Sequence, residues 1–108
     1  MTVGAIPTAP ANLAGTAARA GGQSDTVTLT WTDNANNETG FQLQRSTNPL
    51  FTNGVSTTTL PTNTTPAPST ATTIQTGVSR LATYYYRLRA INLTGASPWS
   101  NTFQITTP

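Results

Sequence analysis

A chain of 108 residues is long enough to bury one hydrophobic core without metal or disulfide cross-links. It has no cysteine and no histidine, and charged residues make up only 7% of it, against roughly 25% in ordinary soluble proteins. Thiolate catalysis, cysteine-ligated zinc and proton transfer by histidine are therefore excluded. Five arginines and three acidic residues give a net charge of +2. Nucleic-acid binding needs a dense basic patch, so it is not predicted.

The first ten residues predict an extended N-terminal linker, because Pro7 and Pro10 are spaced by small residues. Residues 1–10 have neither the cationic start nor the apolar stretch of a signal peptide. No apolar run in the chain approaches the ~20 residues of a membrane helix. We nevertheless expect an extracellular protein, secreted or on the cell surface, because a surface of threonine, serine and asparagine is typical of such modules. Its leader would then lie elsewhere in the parent chain.

From residue 11 onward the apolar residues recur with a period of two, which predicts strands and no helix longer than a turn. Residues 26–32 alternate strictly, with Val27, Leu29 and Trp31 on the inward face and threonines on the other. The strands predicted at 41–45, 84–91 and 103–105 follow the same rule, and Leu13 and Ile74 mark two shorter strands. The further inward positions, which we expect to form the core with Trp31, are Phe41, Leu43, Tyr84, Tyr86, Leu88, Phe103 and Ile105.

Residues 56–70 are rich in threonine and proline and resemble a mucin-like linker. Neither half of the chain has enough strands to close a core alone, so we expect a long internal connection with one edge strand at about 55–60. A single domain would then span residues 11–106. About seven short antiparallel strands in one domain predict an all-β, two-sheet sandwich of the immunoglobulin-like class.

The loop at residues 33–40 holds the side chains that most resemble a catalytic or metal site. Asp33 and Glu38 are the candidate carboxylate pair, but no histidine, cysteine or lysine is present to assist them. Together with Asn36 they also offer hard oxygen donors for calcium, although their spacing does not match an EF-hand. We prefer a structural interpretation, in which Asp33 forms an Asx turn and Glu38 pairs with Arg45. No catalytic, cofactor-binding or metal-binding residue is therefore assigned.

Two blocks of this sequence resemble fibronectin type III domains of the kind common in secreted bacterial proteins. The first block comprises WTDN (31–34), NETGF (37–41) and RS (45–46). The second comprises YYYRLRAIN (84–92) and GASPWSN (95–101). The resemblance extends from Pro10 to Thr106. It implies a seven-stranded sandwich without enzymatic activity, which spaces, orients or binds.

The resemblance also implies roles for individual residues. Trp31 would be the core tryptophan, and Tyr84 would be the tyrosine-corner residue, with its hydroxyl bonded to backbone just upstream. Val78 stands where the family usually has leucine, and Arg80 and Leu81 stand where it usually has Pro-Gly. The shape of this corner is therefore expected to differ from the family pattern.

Trp99 and Tyr85 are the aromatic residues expected on the surface, beside Arg87 and Arg89. The Trp99-Ser100 pair is similar to the second Trp-Ser of the cytokine-receptor WSXWS motif, whose tryptophans stack on arginines of the neighbouring strand. We therefore expect Trp99 to lie over Arg87 or Arg89 in a cation–π contact worth ~0.5–1 kcal/mol. The alternative is a surface on which these four residues bind a sugar ring or a peptide.

The resulting functional prediction is a non-catalytic spacer of a larger secreted or cell-surface, bacterial protein. The alternative is an accessory module that holds carbohydrate or a neighbouring protein through exposed aromatics. The expected partners are the neighbouring domains of the parent chain, with polysaccharide or protein as possible additions and the isolated domain a monomer. No cofactor is predicted. The N-glycosylation sequons that begin at Asn37, Asn63 and Asn92 are interpreted as coincidence in a threonine-rich chain.

Overall fold

The computed structural model describes residues 5–22 and 24–108, and its regular structure in that part of the chain consists of strands alone. The alternation of β-branched and apolar residues favours strands, because side chains of successive residues point to opposite faces. The strands are β1 Ala11–Arg19, β2 Ser24–Asp33, β3 Gly40–Ser46, β4 Ser56–Pro61, β5 Ser69–Ser79, β6 Thr83–Asn92, β7 Gly95–Ala96 and β8 Phe103–Thr106.

These strands form two antiparallel sheets. The first has the order β1-β2-β5, and the second has the order β4-β3-β6-β7, with β8 also paired to β6. β4 pairs only with β3 and is an edge strand, at the place where the sequence predicts one. Residues 62–68 then cross to the first sheet, where β5 begins. The predicted two-sheet antiparallel sandwich is confirmed.

The core lies between the two sheets. Val27, Leu29 and Trp31 of β2 face inward, and the ring of Trp31 meets that of Phe41 edge to face at 5.5 Å between centroids. One cluster of buried residues connects the two sheets, and it contains Leu13, Val27, Leu29, Trp31, Phe41, Leu43, Leu60, Val78, Tyr84, Tyr86, Leu88 and Ala90. Phe103 and Ile105 are partly buried against it.

β5 differs from its prediction. A short strand marked by Ile74 was expected, but β5 is 11 residues long, and the Ile74 side chain is 59% exposed. Ile74 pairs in register with Thr28, whose side chain also lies on the outward face. The inward positions of β5 include Ala71 and Val78, of which only Val78 is a large apolar residue.

The described residues nearest the two chain ends pack against the sandwich. Pro7 and Pro10 are buried, and the Ala5 carbonyl accepts hydrogen bonds from the side-chain amides of Asn37 and Asn92, at 3.1 and 2.9 Å. Residues 1–4 of the predicted linker lie outside the described part of the chain. The boundaries at residues 11 and 106 stay a prediction.

Candidate functional site

The outer face of the second sheet carries the residues that the sequence singled out for binding. On β6 the inward positions are Tyr84, Tyr86, Leu88 and Ala90, so Tyr85, Arg87 and Arg89 project outward and are half-buried. Arg87 pairs in register with Gln44 of β3 and Arg89 with Gln42. The strand alternation therefore places both arginines side by side on one surface.

Trp99 lies between these two arginines. The guanidinium carbon of Arg87 is 4.2 Å from the centre of the Trp99 ring, and that of Arg89 is 4.3 Å from it. Both guanidinium groups therefore lie within cation–π distance of the same indole ring. The predicted cation–π contact is confirmed, and it involves both arginines.

Phe51 extends this arrangement by one more ring. Its centre lies 4.2 Å from the guanidinium carbon of Arg87, so Arg87 contacts Phe51 as well as Trp99. We call the four residues Phe51, Arg87, Trp99 and Arg89 the arginine–aromatic stack. Sequence reasoning missed Phe51, because it lies in the irregular loop between β3 and β4, where no periodicity indicates which way a side chain points.

Two glutamines of β3 hold the arginines in place. Nε of Arg87 donates to Oε1 of Gln44 at 2.9 Å, and Nε of Arg89 donates to Oε1 of Gln42 at 2.8 Å. Nε2 of Gln44 in turn donates to the hydroxyl of Thr57 on β4, at 3.3 Å. These hydrogen bonds hold each planar guanidinium group at its Nε atom.

The backbone that carries Trp99 is attached to β6 by two serines. The Ser97 and Ser100 N–H groups donate to the carbonyls of Ala90 and Leu88, at 2.8 and 2.7 Å. The Ala90 and Leu88 N–H groups donate back to the two serine hydroxyls, at 2.9 and 3.0 Å. The pairing of β6 is interrupted between the residues that pair with β8 and those that pair with β7. There the hydroxyls replace backbone acceptors, and they fix the position of Trp99 between the two serines.

The electrostatics of the stack follow from its composition. Burial lowers the pKa of Arg87, and the positive charge of Arg89 lowers it further. No carboxylate lies on this face of the described structure, because the three acidic residues of the chain are buried elsewhere, with Asp25, Asp33 and Glu38 0, 1 and 7% exposed. The stack is therefore a cationic surface without an internal counterion.

Tyr85 lies on the same face of β6, paired in register with Ser46 and Gln104. It makes no cation–π contact with Arg87 or Arg89 in the described part of the chain. The four predicted surface residues are therefore brought to one sheet face, but only three of them form the stack.

Side chains of the loop at residues 33–40 form hydrogen bonds within the loop and to the connection between β4 and β5. Oδ1 of Asp33 accepts a hydrogen bond from the Ala35 N–H at 3.0 Å, which confirms the predicted Asx turn. Oδ2 of Asp33 accepts from the amide of Asn63 at 2.9 Å, and Oδ1 of Asn36 accepts from the Ala67 N–H at 2.8 Å. The side chains of this loop thus hold the long connection between β4 and β5.

The predicted pairing of Glu38 with Arg45 was wrong. Oε2 of Glu38 accepts hydrogen bonds from the Thr62 hydroxyl and the Asn63 N–H, each at 3.1 Å. Glu38 precedes the first residue of β3, whereas Arg45 lies near its last residue, so the strand separates the two charges. Arg45 instead lies over the ring of Tyr84, 4.9 Å from its centre.

The expected tyrosine corner is not formed. Within residues 5–22 and 24–108 no hydrogen bond joins the Tyr84 hydroxyl to the backbone upstream. Leu81, which replaces the usual glycine, adopts a left-handed conformation with φ of 54°, and Thr107 fastens this turn. The Thr107 hydroxyl donates to the Ser79 carbonyl at 2.8 Å and accepts from the Ala82 N–H at 3.0 Å.

The three sequon asparagines have their amide nitrogens engaged. Nδ2 of Asn63 donates to Asp33 and Ser69, at 2.9 and 3.0 Å. Nδ2 of Asn92 donates to two backbone carbonyls, and Nδ2 of Asn37 donates to one. Attachment of a glycan at these nitrogens would replace contacts that hold the loops together.

A groove of about 330 Å³ opens between β4 and β5. Its lining includes Trp31, Phe41 and Leu60 from the core, with threonines of β5 and Asn63 at its rim. The described residues that line this groove include no ionisable side chain. None of the described residues belongs to a helix long and apolar enough to cross a membrane.

No protein-family model matches the chain, and the search of curated proteins finds no match. Solved structures are similar to it over nearly its whole length. A Fn3-like protein from Clostridium thermocellum is 23% identical with a TM-score of 0.68, and 96% of each chain is covered. The solved structure of a myokine is 20% identical with a TM-score of 0.65, covering 94% of this chain and 98% of the other.

Domains A168–A170 of titin give a TM-score of 0.61 at 17% identity, and the match covers 94% of this chain and 32% of that one. These similarities show the fold, and they confirm the resemblance found in the sequence.

Proposed function

We propose that this chain, which has the fold of fibronectin type III domains, is a non-catalytic structural module that spaces the domains of a larger secreted or cell-surface bacterial protein. Its fold supports a role as a structural module, since domains of this fold are in general structural modules of larger proteins. The titin match agrees with it, because this chain covers about a third of a chain of tandem domains.

The proposal is carried by one observation. The side chains best suited to catalysis or binding, which are two carboxylates and the Trp99 ring, already contact other residues of this chain. Asp33 and Glu38 hold loops through hydrogen bonds. The Trp99 ring has the guanidinium carbons of Arg87 and Arg89 within 4.3 Å of its centre, so it already stacks on side chains of its own domain. These contacts give the residues structural roles that need no ligand.

A spacer outside the cell must keep its shape under changing conditions, and the surface supports this. Hydroxyl and amide groups do not titrate, and their interactions are little screened by salt. Between pH ~5 and ~9 the chain has few titrating groups apart from its amino end, so we expect a stability that changes little over this range.

Affinity electrophoresis separates the spacer from an accessory module that binds neutral carbohydrate. The 108-residue chain is run in gels cast with xylan or starch, and it is incubated with cellulose or chitin. We expect no retardation and no depletion from solution. Retardation by a neutral polysaccharide that is abolished in Trp99→Ala, while the melting temperature is kept, would overturn the proposal in favour of the accessory module.

A further inference from the structure

The accessible side-chain charges of the described residues are all positive. All three acidic residues are buried, and only Asp25 has an arginine within ion-pairing distance, with Nε of Arg19 at 3.8 Å from its Oδ1. Arg87 and Arg89 have no anionic partner. Mutual repulsion of two such cations is relieved when an anion binds between or beside them.

The two arginines also present fixed hydrogen-bond donors. Each has its Nε hydrogen-bonded to a glutamine of β3 and its guanidinium carbon within 4.3 Å of the centre of the Trp99 ring. The terminal nitrogens of both arginines make no hydrogen bond within the described residues, and they are not fully buried. A guanidinium held in this way loses little further rotamer entropy when it binds a carboxylate.

We propose that the outer edge of the arginine–aromatic stack binds an acidic polysaccharide through carboxylates of its sugar units. A peptide of acidic residues fits less well, because peptide affinity depends on apolar anchors in pockets, and here the rings of Trp99 and Phe51 are already covered by arginines. The groups that remain accessible at this edge are the terminal guanidinium nitrogens of the two arginines, with hydroxyl and amide groups around them. A polymer that carries both carboxylates and hydroxyls complements that surface.

This inference does not rest on the spacer role, since a spacer and an adhesive surface can coexist in one module. Binding through a few exposed charge pairs is weak for one site and strongly screened by salt. Affinity toward a surface or gel would arise from the many equivalent carboxylates that such a polymer offers and from repeated modules in a parent chain.

The test is retention of the 108-residue chain on immobilised polygalacturonate at low ionic strength, followed by elution in a salt gradient. We expect retention that is lost with salt, and no retention on a neutral galactan matrix. Arg89→Gln is expected to weaken binding about two- to fivefold, the share of one exposed charge pair. Arg89→Lys, which keeps the charge but not the fork, should fall between Arg89→Gln and the natural chain.

The matched control is Arg19→Gln, which lowers the net charge by the same single unit. The Arg19 side chain is 53% exposed and lies on β1 in the other sheet, so its loss should leave retention almost unchanged. Equal weakening by Arg19→Gln and Arg89→Gln would show attraction by net charge alone and would overturn the proposal. Stronger retention on single-stranded DNA than on polygalacturonate would overturn it as well. Thermal melting of each variant confirms that the domain remains folded.

Discussion

Replacing Trp99 with alanine tests whether the arginine–aromatic stack stabilises the fold. The substitution removes two cation–π contacts, to Arg87 at 4.2 Å and to Arg89 at 4.3 Å. A contact of this kind is worth ~0.5–1 kcal/mol when partly exposed, so the two together predict a loss of about 1–2 kcal/mol in the free energy of unfolding. Trp99→Phe keeps an aromatic ring with a weaker attraction for cations and should lose less than half as much.

Urea unfolding followed by the fluorescence of Trp31 measures this loss, because Trp31 is the other tryptophan of the chain and lies in the core. A double-mutant cycle isolates the contact itself. Trp99→Ala and Arg89→Gln are made singly and together, and we expect a coupling of ~0.5–1 kcal/mol between them. If the two losses add within ~0.3 kcal/mol, the stack contributes nothing as a unit and the reasoning is refuted.

Three other changes test separate parts of the structure, each by urea unfolding. Ser97→Ala leaves the Ala90 N–H without its side-chain acceptor and should cost about 1–3 kcal/mol; a loss below 0.5 kcal/mol would contradict this role. Leu81→Gly relieves a left-handed backbone with φ of 54° and should stabilise by up to about 1 kcal/mol, whereas Leu81→Ala should not. Burial raises the pKa of Tyr86 above the ordinary 10.0 by more than Arg45 lowers it. The folded chain therefore keeps a proton that the unfolded chain loses, and stability should fall as pH rises above that value. Tyr86→Phe should flatten this alkaline decline, and an unchanged decline would assign it to another group.

The strands that contribute the core were predictable because their sequences alternate. β2 places Val27, Leu29 and Trp31 inward with threonines between them, and β6 places Tyr84, Tyr86 and Leu88 inward. A slip of one residue would turn each set to solvent, so the pattern determines both the strand and its buried face. Alternation also places Arg87 and Arg89 together on the outward face, whereas the stacking of Trp99 on them was predicted from the similarity of Trp99-Ser100 to the WSXWS motif.

The failures have a different physical origin. β5 carries mostly threonine, serine and alanine, so its alternation has little apolar contrast. Ile74 marked a strand there, but it indicated neither the length of the strand nor its inward face, from which Ile74 points away. The partners of Glu38 are Thr62 and Asn63, which lie far along the chain and are brought close only by the pairing of β3 with β4. Phe51 joins the stack from a loop without periodicity. Each of these contacts depends on tertiary geometry that a single sequence does not contain.

In this chain, side-chain amides connect distant segments, a role that ion pairs have in many other proteins. Only one ion pair is found among the described residues, yet asparagines bridge distant segments. Asn101, two residues after Trp99, is an example of such a bridging asparagine. Its Oδ1 accepts from the Leu13 N–H at 2.8 Å and its Nδ2 donates to the Leu13 carbonyl at 3.0 Å, as a neighbouring backbone would.

That amide joins β1 of the first sheet to the segment leading into β8 of the second. Because an amide carries no charge and does not titrate, this closure between the sheets is independent of pH and little affected by salt. Arg87 and Arg89, which have no ion-pair partner among the described residues, are not needed for this closure. A low charge content is therefore compatible with the cationic binding edge that we propose.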